Sequence, residues 1–165
     1  MEVICGDKIY QPEEIVEKYN GMLYRLAMVR MKNEEDAKDV VQDTFLRFLQ
    51  HLKKGNSFND EEHLKAWLLT VATNRGKSIL SLAWNRKTEG MDSVREIAAP
   101  MEKTEYAYEY VLNLPEKYRV AINLFYYEQL TTEQIADVMK TKPATVRSYL
   151  HRGREKLKEM MEADR

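Results

Sequence analysis

Apolar side chains recur at intervals of three and four residues along most of the chain, which is the spacing of amphipathic helices. Pro12 and the two glutamates after it suit the first turn of one helix, and Asn33 with the three acids after it suits the start of a second. Residues 53–56, Lys-Lys-Gly-Asn, end that second helix. A third pattern starts at Leu64, so we expect one helical bundle over residues 10–84.

The apolar stripes of these three helices define the expected core of the bundle. They comprise Ile15, Tyr19, Met22, Leu23 and Leu26 in the first, Ala37, Val40, Val41, Phe45, Phe48, Leu49 and Leu52 in the second, and Leu64, Trp67, Leu68, Val71 and Ala72 in the third. Alternating apolar and polar residues are nearly absent from the chain, so strands are not expected.

The second half of the chain begins with an aperiodic stretch. Residues 85–104 contain Gly90, Pro100 and scattered charges, which predicts a flexible linker. Helical patterns resume near Glu105 and continue to about residue 162. The predicted fold class is therefore all-α, with two small helical domains, residues 10–84 and 105–162, joined by the linker.

Two short helices near the C-terminus are separated by a tight turn at residues 140–142. Thr131 and Gln134 have the spacing of a capping box, and Pro143 suits the first position of the second helix. The residues expected to face the core are Ile135, Ala136, Met139, Val146, Leu150 and Leu157. This arrangement is the helix-turn-helix pattern.

The chain has a formal net charge of −1, yet basic residues cluster at this C-terminal motif. They are Lys140, Lys142, Arg147, Arg152, Arg154, Lys156 and Lys158, with Glu155 as the one acid among them. A net charge near zero argues against a protein that coats nucleic acid. It is compatible with one basic face and one acidic face, which could bind DNA and a protein respectively.

If Val146 and Leu150 face the core, then Arg147, Ser148, His151 and Arg152 face outward on the second helix of the motif. Helices of this kind place residues of their first turns in the major groove, where arginine can bind guanine O6 and N7 together. The alternative interpretation is a basic amphipathic helix that serves solubility or binds a protein.

The sequence lacks the signals that mark several other classes of protein. No apolar run approaches the length of a membrane span, and the N-terminus does not resemble a secretory signal. The lone Cys5 permits no internal disulfide and fits a reducing cytoplasm. The three histidines are far apart and lack metal-ligand spacing, and no phosphate loop or nucleophile elbow is present. We therefore expect no catalysis, no metal and no cofactor.

Three motifs together resemble a known family. TTEQIADVMKTKPATVRSYLHRGREKL is similar to region 4 of bacterial RNA polymerase sigma factors, EEDAKDVVQDTFLRFLQHL is similar to their region 2, and HLKAWLLTVATNRGKSIL is similar to the helix that follows in region 2. The order and separation of the motifs resemble the extracytoplasmic-function (ECF) group. The resemblance runs from about Pro12 to Met160.

The resemblance implies an alternative sigma factor that binds core RNA polymerase and directs transcription from particular promoters. In the family, the second helix docks on the polymerase large subunit. The residues carried over for that contact are Asp36, Asp39, Gln42, Asp43 and Arg47. From charge alone, the same acids could simply form a solvated helix face.

The resemblance also implies contact between residues 57–74 and the single non-template strand of the promoter −10 element. Unpaired bases can stack on aromatic side chains or enter a pocket formed by a loop. The candidates are Phe58, His63, Trp67, Asn74, Arg75 and Lys77. Phe58 lies in a polar loop and is expected to be exposed, whereas Trp67 also lies on the apolar stripe, so a core role and a DNA role both stay open.

For the promoter −35 element, the resemblance points to the second helix of the C-terminal motif. The residues are Thr145, Arg147, Ser148, His151, Arg152 and Lys156, the last as a phosphate contact. The chain departs from the family at Ser78 and Ser81, where acidic and basic residues are usual, and at Lys140 and Ala144, where glycine is frequent. These departures bear on promoter preference.

Other functions remain as alternatives at this point. A stand-alone helix-turn-helix regulator would bind DNA without polymerase, and an anti-sigma protein could mimic the family. The resemblance further implies an anti-sigma partner, a cytoplasmic location without membrane insertion, and a monomer when free.

Overall fold

The computed structural model describes the backbone of residues 1–87 and 105–164, and the side chains of residues 1–75 and 108–164. The chain divides into two compact units, residues 1–93 and 94–165. Helical elements make up most of the described backbone, as the predicted all-α fold class requires. Of the predicted linker, residues 85–87 belong to a helix, and the remainder lies outside the described residues.

Three helices pack against one another in the N-terminal unit: α1 (Pro12–Met31), α2 (Glu34–Lys53) and α3 (Glu61–Lys87). The predicted core is largely confirmed. The fully buried side chains include Ile15, Leu23, Leu26, Phe48, Leu64 and Leu68. Phe45 and Leu49, at the edge of the α2 stripe, are only partly buried.

The predicted boundaries of α2 are confirmed by local hydrogen bonds and backbone geometry. Asn33 Oδ1 accepts a hydrogen bond from Asp36 N at 3.1 Å, which satisfies one of the free amides of the first turn. At the other end, Gly55 has φ +81°, a left-handed conformation that glycine adopts without steric cost. The two predicted signals therefore act at the two ends of the same helix.

A β-hairpin precedes α1, which corrects the expectation of a chain without strands. Strands β1 (Val3–Cys5) and β2 (Lys8–Tyr10) pair antiparallel. Val3 and Cys5 are buried, whereas Ile4 and Ile9 on the opposite face are exposed. Strands of three residues are too short to show a recognisable alternation, and for that reason the sequence pattern did not reveal them.

The C-terminal unit is built from shorter helices. They are α4 (Glu105–Leu112), α5 (Glu116–Ile122), α6 (Thr132–Met139) and α7 (Pro143–Ala163), and a π-helical turn, Asn123–Tyr127, follows α5. Helices α4, α5 and α6 all pack against α7. Leu157, predicted to face the core, is only partly buried.

Among the described residues, we find no helix with both the length and the hydropathy of a membrane span.

Candidate nucleic-acid and protein interfaces

Helix α7 presents the predicted basic surface as expected. Val146 and Leu150 are buried against the rest of the unit. On the opposite face, Arg147, His151, Arg152 and Lys156 are exposed, and Thr145 and Ser148 are partly exposed. The structure thus brings the six predicted side chains to one side of a single helix. We call this set, Thr145, Arg147, Ser148, His151, Arg152 and Lys156, the basic face.

The turn before α7 has the geometry expected of a position where glycine is frequent. Lys140 has φ 55° and ψ 50°, and its N–H bonds the carbonyl groups at the end of α6. The N–H of Thr141 donates to Ala136 O at 2.9 Å. At the start of α6, Thr131 Oγ1 accepts from Gln134 N at 3.1 Å, which confirms the predicted capping box. A left-handed non-glycine residue is tolerated here because these bonds hold the turn.

Gly153 sets how closely α7 approaches α5, a role that the sequence analysis missed. A Cβ atom at this glycine would lie 3.1 Å from Ile122 Cγ1 and 3.4 Å from Tyr118 Cβ. Gly153 is buried, and both neighbours belong to the core of the unit. The available signal was a glycine inside a strongly helical pattern, which is unfavourable unless another backbone or side chain approaches closely.

Two arginines of α7 have different surroundings. Arg152 donates a hydrogen bond to Tyr118, and this bond lowers the pKa of that phenol. Arg154 lies over the rings of Phe125 and Tyr126, at 5.6 and 5.5 Å from their centroids, and its Nε donates to Tyr126 Oη at 2.5 Å. Arg154 is therefore directed toward the π-helical turn, and it does not belong to the basic face.

Helix α2 presents the predicted acidic set, but not uniformly. Asp39, Gln42 and Arg47 are exposed, and Asp36 is partly exposed. Asp43 forms an ion pair with Arg75 of α3, and both side chains are about one-third exposed. The structure therefore joins one residue predicted to bind protein with one predicted to bind DNA.

A groove of about 570 Å³ lies between α1 and α2, next to Gln42. Its lining residues are Asn20, Tyr24, Glu34, Lys38, Val41, Gln42 and Phe45. Leu46, one turn beyond Gln42, is 49% exposed. Apolar surface bordered by polar side chains is the arrangement found at protein interfaces. We refer to Asp39, Gln42, Leu46 and Arg47, all exposed, as the docking face; the sequence analysis assigned Leu46 neither to the core nor to this set.

The loop between α2 and α3 corrects one prediction outright. Phe58 is 2% exposed and not presented to solvent. Its ring lies among Phe48, His51 and Trp67, with centroid distances of 6.3, 5.4 and 5.9 Å. A polar loop can still bury its one aromatic residue when the neighbouring helices supply partners.

The remaining predicted −10 residues are distributed around this loop. His63 is exposed, Trp67 and Asn74 are partly buried, and Arg75 is paired as described above. Trp67 packs 4.7 Å from His51, measured between ring centroids, so its core role is shown while part of its surface stays accessible. The side chain of Lys77 lies outside the described residues.

The described side chains give no indication of a metal centre. Within residues 1–75 and 108–164, histidine, cysteine and carboxylate groups do not assemble in threes or more at a place that could hold an ion.

Comparison with known proteins gives two family matches that follow one another along the chain. The model for Sigma-70 region 2 matches residues 15–85, and the model for Sigma-70, region 4 matches residues 104–157. The first covers the three-helix bundle, and the second covers the unit that carries the basic face.

Relatives align over most of their own length. The chain is 27% identical to the ECF RNA polymerase sigma factor SigW of Bacillus subtilis, covering 90% of this chain and 87% of SigW. It is 28% identical to the ECF RNA polymerase sigma factor SigM of the same organism, covering 88% of this chain and 92% of SigM.

Among solved structures, the fold is similar to the sigma factor RpoE in complex with the anti-sigma factor NepR from Bartonella quintana. The TM-score is 0.75 at 21% identity, covering 93% of this chain and 98% of that one. It is also similar to CnrH in complex with the cytosolic domain of CnrY. The TM-score is 0.65 at 21% identity, covering 93% of this chain and 89% of that one.

Proposed function

The chain belongs to the ECF group of the sigma-70 family, and from this premise we propose how its surfaces divide the work of an alternative sigma factor. As a sigma factor it binds core RNA polymerase and promoter DNA and directs transcription initiation. The observation that carries the assignment is the succession of a region 2 match and a region 4 match on two separate compact units. A stand-alone regulator would not need the first of these.

The docking face of α2 is our candidate for the polymerase contact. Its polar members project from the middle of the helix, and the groove beside Gln42 offers apolar surface next to them. Asp36 and Asp43 stand at its margins, and Asp43 is held by Arg75. Asp39 and Gln42 supply polar contacts for a partner, and the apolar rim adds area that is removed from water on docking.

The loop between α2 and α3 is our candidate for reading the −10 element. Asn56, Ser57, Asn59 and Asp60 are exposed there, with His63 following in the first turn of α3. Short polar side chains can hydrogen-bond the edge of an unpaired base. Phe58 supports the loop from inside, and Trp67 offers a partly exposed ring for stacking. Asn74, Arg75 and Lys77 follow farther along α3 in the sequence, and we propose them as contacts to the phosphates of the same strand.

The basic face of α7 is our candidate for the −35 element. Arg147 and Arg152 are in the first half of the helix, the part that enters the major groove in helix-turn-helix proteins. Lys156, one turn farther along, suits a phosphate. Arg152 interacts with the Tyr118 hydroxyl, whose pKa it lowers, and remains exposed on the same face.

The protein alone does not supply enough free energy to open a promoter. Separating about ten base pairs costs roughly 14 kcal/mol at ~1.4 kcal/mol per step. Stacking of one or two bases returns about 1–3 kcal/mol each. Stable opening therefore depends on the whole polymerase, and this chain contributes recognition without catalysis of its own.

An anti-sigma protein is the expected regulator, and the cytoplasm is the expected location. Two proteins of similar fold, RpoE and CnrH, were solved in complex with NepR and with the cytosolic domain of CnrY. Such a partner would cover the docking face or the basic face. A free monomer is the corresponding state in the absence of a partner.

Run-off transcription tests the assignment directly. Purified core polymerase is incubated with a pool of genomic promoter fragments, with and without the protein. We expect discrete start sites that appear only with the protein and that share sequences near −10 and −35. DNA fragments retained by the protein alone, without new transcripts, would overturn the assignment in favour of the stand-alone regulator.

A further inference from the structure

The N-terminal hairpin is bonded to the loop that we propose reads the −10 element. The N–H of Phe58 donates to Ile4 O at 2.8 Å, and the N–H of Gly6 donates to Phe58 O at 2.8 Å. These two bonds flank Cys5 and make Phe58 a parallel bridge partner of β1. The loop residue thus becomes a one-residue third strand beside the hairpin.

The contact is close enough to require glycine at the hairpin turn. Gly6 has φ +63°, and a Cβ atom there would lie 2.6 Å from the carbonyl oxygen of Asn59. A carbonyl group of the backbone cannot move aside as the end of a side chain can. Any other residue at position 6 would therefore be strained in its own backbone and would push the loop away.

Other bonds hold the same loop from the side of the helices. The N–H of Asn59 donates to His63 Nδ1 at 3.0 Å, and Asp60 Oδ1 accepts from His63 N at 2.7 Å. The Phe58 ring packs on Phe48. Every backbone bond named here leaves the side chains of Asn56, Ser57 and Asn59 exposed. The loop is therefore fixed from two sides, and Asn56 Nδ2 also donates to His51 O at 3.2 Å, while Ser57 and Asn59 stay exposed on the outer surface.

The second strand of the hairpin is also tied to the start of α3. Tyr10 hydrogen-bonds the Glu61 carboxylate, which in turn forms an ion pair with Lys18 of α1. These bonds connect the hairpin, α1 and the first turn of α3 beside the loop. The hairpin accordingly contacts residues 58–61 at both ends, through Phe58 and through Glu61.

We infer that the hairpin, residues 3–10, is a positioning element that holds loop 56–60 in the conformation that reads the promoter −10 element. The inference rests on the proposed function of that loop. Gly6 and Phe58 act through the loop backbone and do not contact the base themselves. A loop already held in its binding conformation loses less entropy when it binds, and small displacements weaken hydrogen bonds to a base edge.

Two glycine substitutions separate this role from general loop strain. Gly6→Ala introduces the clash with Asn59 O, whereas Gly55→Ala introduces a comparable left-handed residue, φ +81°, at the end of α2 with nothing within 4 Å of the new Cβ. Holoenzyme is assembled with each variant. Initiation is then measured on a promoter found by run-off transcription and on the same promoter with one −10 base substituted.

The quantity of interest is the ratio of initiation on the two promoters, because a purely structural defect would lower both rates together. Displacement of the loop should weaken about one hydrogen bond to the base edge, which predicts a fall of about tenfold in this ratio for Gly6→Ala. Gly55→Ala is expected to keep the wild-type ratio. Hydrogen exchange of the Phe58 amide should be faster in Gly6→Ala alone, with polymerase binding unchanged.

The remaining outcomes overturn the inference in distinguishable ways. An unchanged ratio in Gly6→Ala, together with fast exchange at Phe58, would show that the hairpin does not position the loop for recognition. An equal loss of ratio in both variants would assign the effect to loop strain. Absence of any start site with the wild-type protein would overturn the proposed function, and the inference with it.

Discussion

Helices α2 and α7 have nearly the same length, 20 and 21 residues, but their charges are arranged in opposite directions along the helix. In α2, Glu34, Glu35 and Asp36 occupy the first turn, and Lys53 lies in the last. In α7 the first turn has no acid and the last has no base. Its basic residues instead occupy the first half and the middle of the helix.

The helix dipole accounts for the terminal charges of α2 and does not account for the bases of α7. Acids near an N-terminus and bases near a C-terminus each stabilise a helix by about 0.3–1 kcal/mol. The terminal charges of α2 thus have a sufficient reason in helix stability, so its function must be argued from Asp39 and Gln42 in the middle. The bases of α7 begin at Arg147, beyond its first turn, so the dipole does not account for them, whereas a polyanionic ligand does.

The largest expected effect comes from removing the packing that orients α2. Phe48 is fully buried, so Phe48→Ala should lower the free energy of unfolding of the N-terminal unit by about 3–5 kcal/mol. Urea denaturation followed by circular dichroism measures this. Leu46→Ala on the exposed side of the same helix should change it by less than about 0.5 kcal/mol. Equal losses would contradict the assignment of the two faces.

The next effect tests whether the basic face of α7 reads sequence. Arg147→Ala should weaken binding of holoenzyme to −35-dependent promoters by about 1–3 kcal/mol, because one arginine can bind guanine through two hydrogen bonds. Fluorescence anisotropy with labelled promoter DNA provides the measurement. Arg154→Ala removes the same charge from the same helix, but from a side chain turned toward Tyr126. A larger loss for Arg154→Ala would contradict the proposed face.

A somewhat smaller effect is expected for the docking face of α2. Substituting Asp39 and Gln42 together by alanine should weaken binding to core polymerase by about tenfold, or about 1.4 kcal/mol, without unfolding the bundle. Competition with a labelled sigma factor for core polymerase measures the affinity. Arg147→Ala should leave this affinity unchanged. The reverse result would show that the two surfaces exchange roles.

The smallest effect is a pH dependence confined to the N-terminal unit. Burial, with Lys54 and His63 nearby, lowers the pKa of His51. The folded unit therefore binds a proton less readily than the unfolded chain. Its stability should be complete above the unfolded value of about 6.5 and should fall as the pH decreases below it.

Urea midpoints of the N-terminal unit at pH 7.5 and pH 5.5 measure this dependence. His51→Gln should reduce the difference between the two midpoints. His151→Gln, which alters an exposed histidine on α7, serves as the matched control and should leave it unchanged. A pH dependence that persists in His51→Gln and disappears in His151→Gln would contradict our assignment of the pH dependence to His51.

Much of the fold could be predicted because its signals are local. The cap at Asn33, the capping box of Thr131 and the left-handed turn at Lys140 each depend on residues within four positions of one another. The order of the two family regions also follows from the sequence. The outward direction of Arg147 followed from the helical spacing of Val146 and Leu150 alone.

The candidate sites were less accessible to sequence reasoning wherever distant segments meet. The hairpin binds the loop at Phe58 through 2.8 Å backbone hydrogen bonds across more than 50 residues, as counted from Gly6 to Phe58. Backbone bonds leave no mark on side-chain periodicity. Similarly, Asp43 and Arg75 are ordinary charges in the sequence, and only helix packing makes them a pair.

The sequence by itself determined the starts of α2, α6 and α7 and the direction of the basic face, because these depend on spacing along one element. It also determined the family, through the order and separation of its motifs. The tertiary structure decided that Phe58 is an anchor and not an exposed ring, and that Gly153 lets α7 approach Ile122 closely. Burial depends on what the rest of the chain places against a residue. No periodicity within a single helix or loop contains that information.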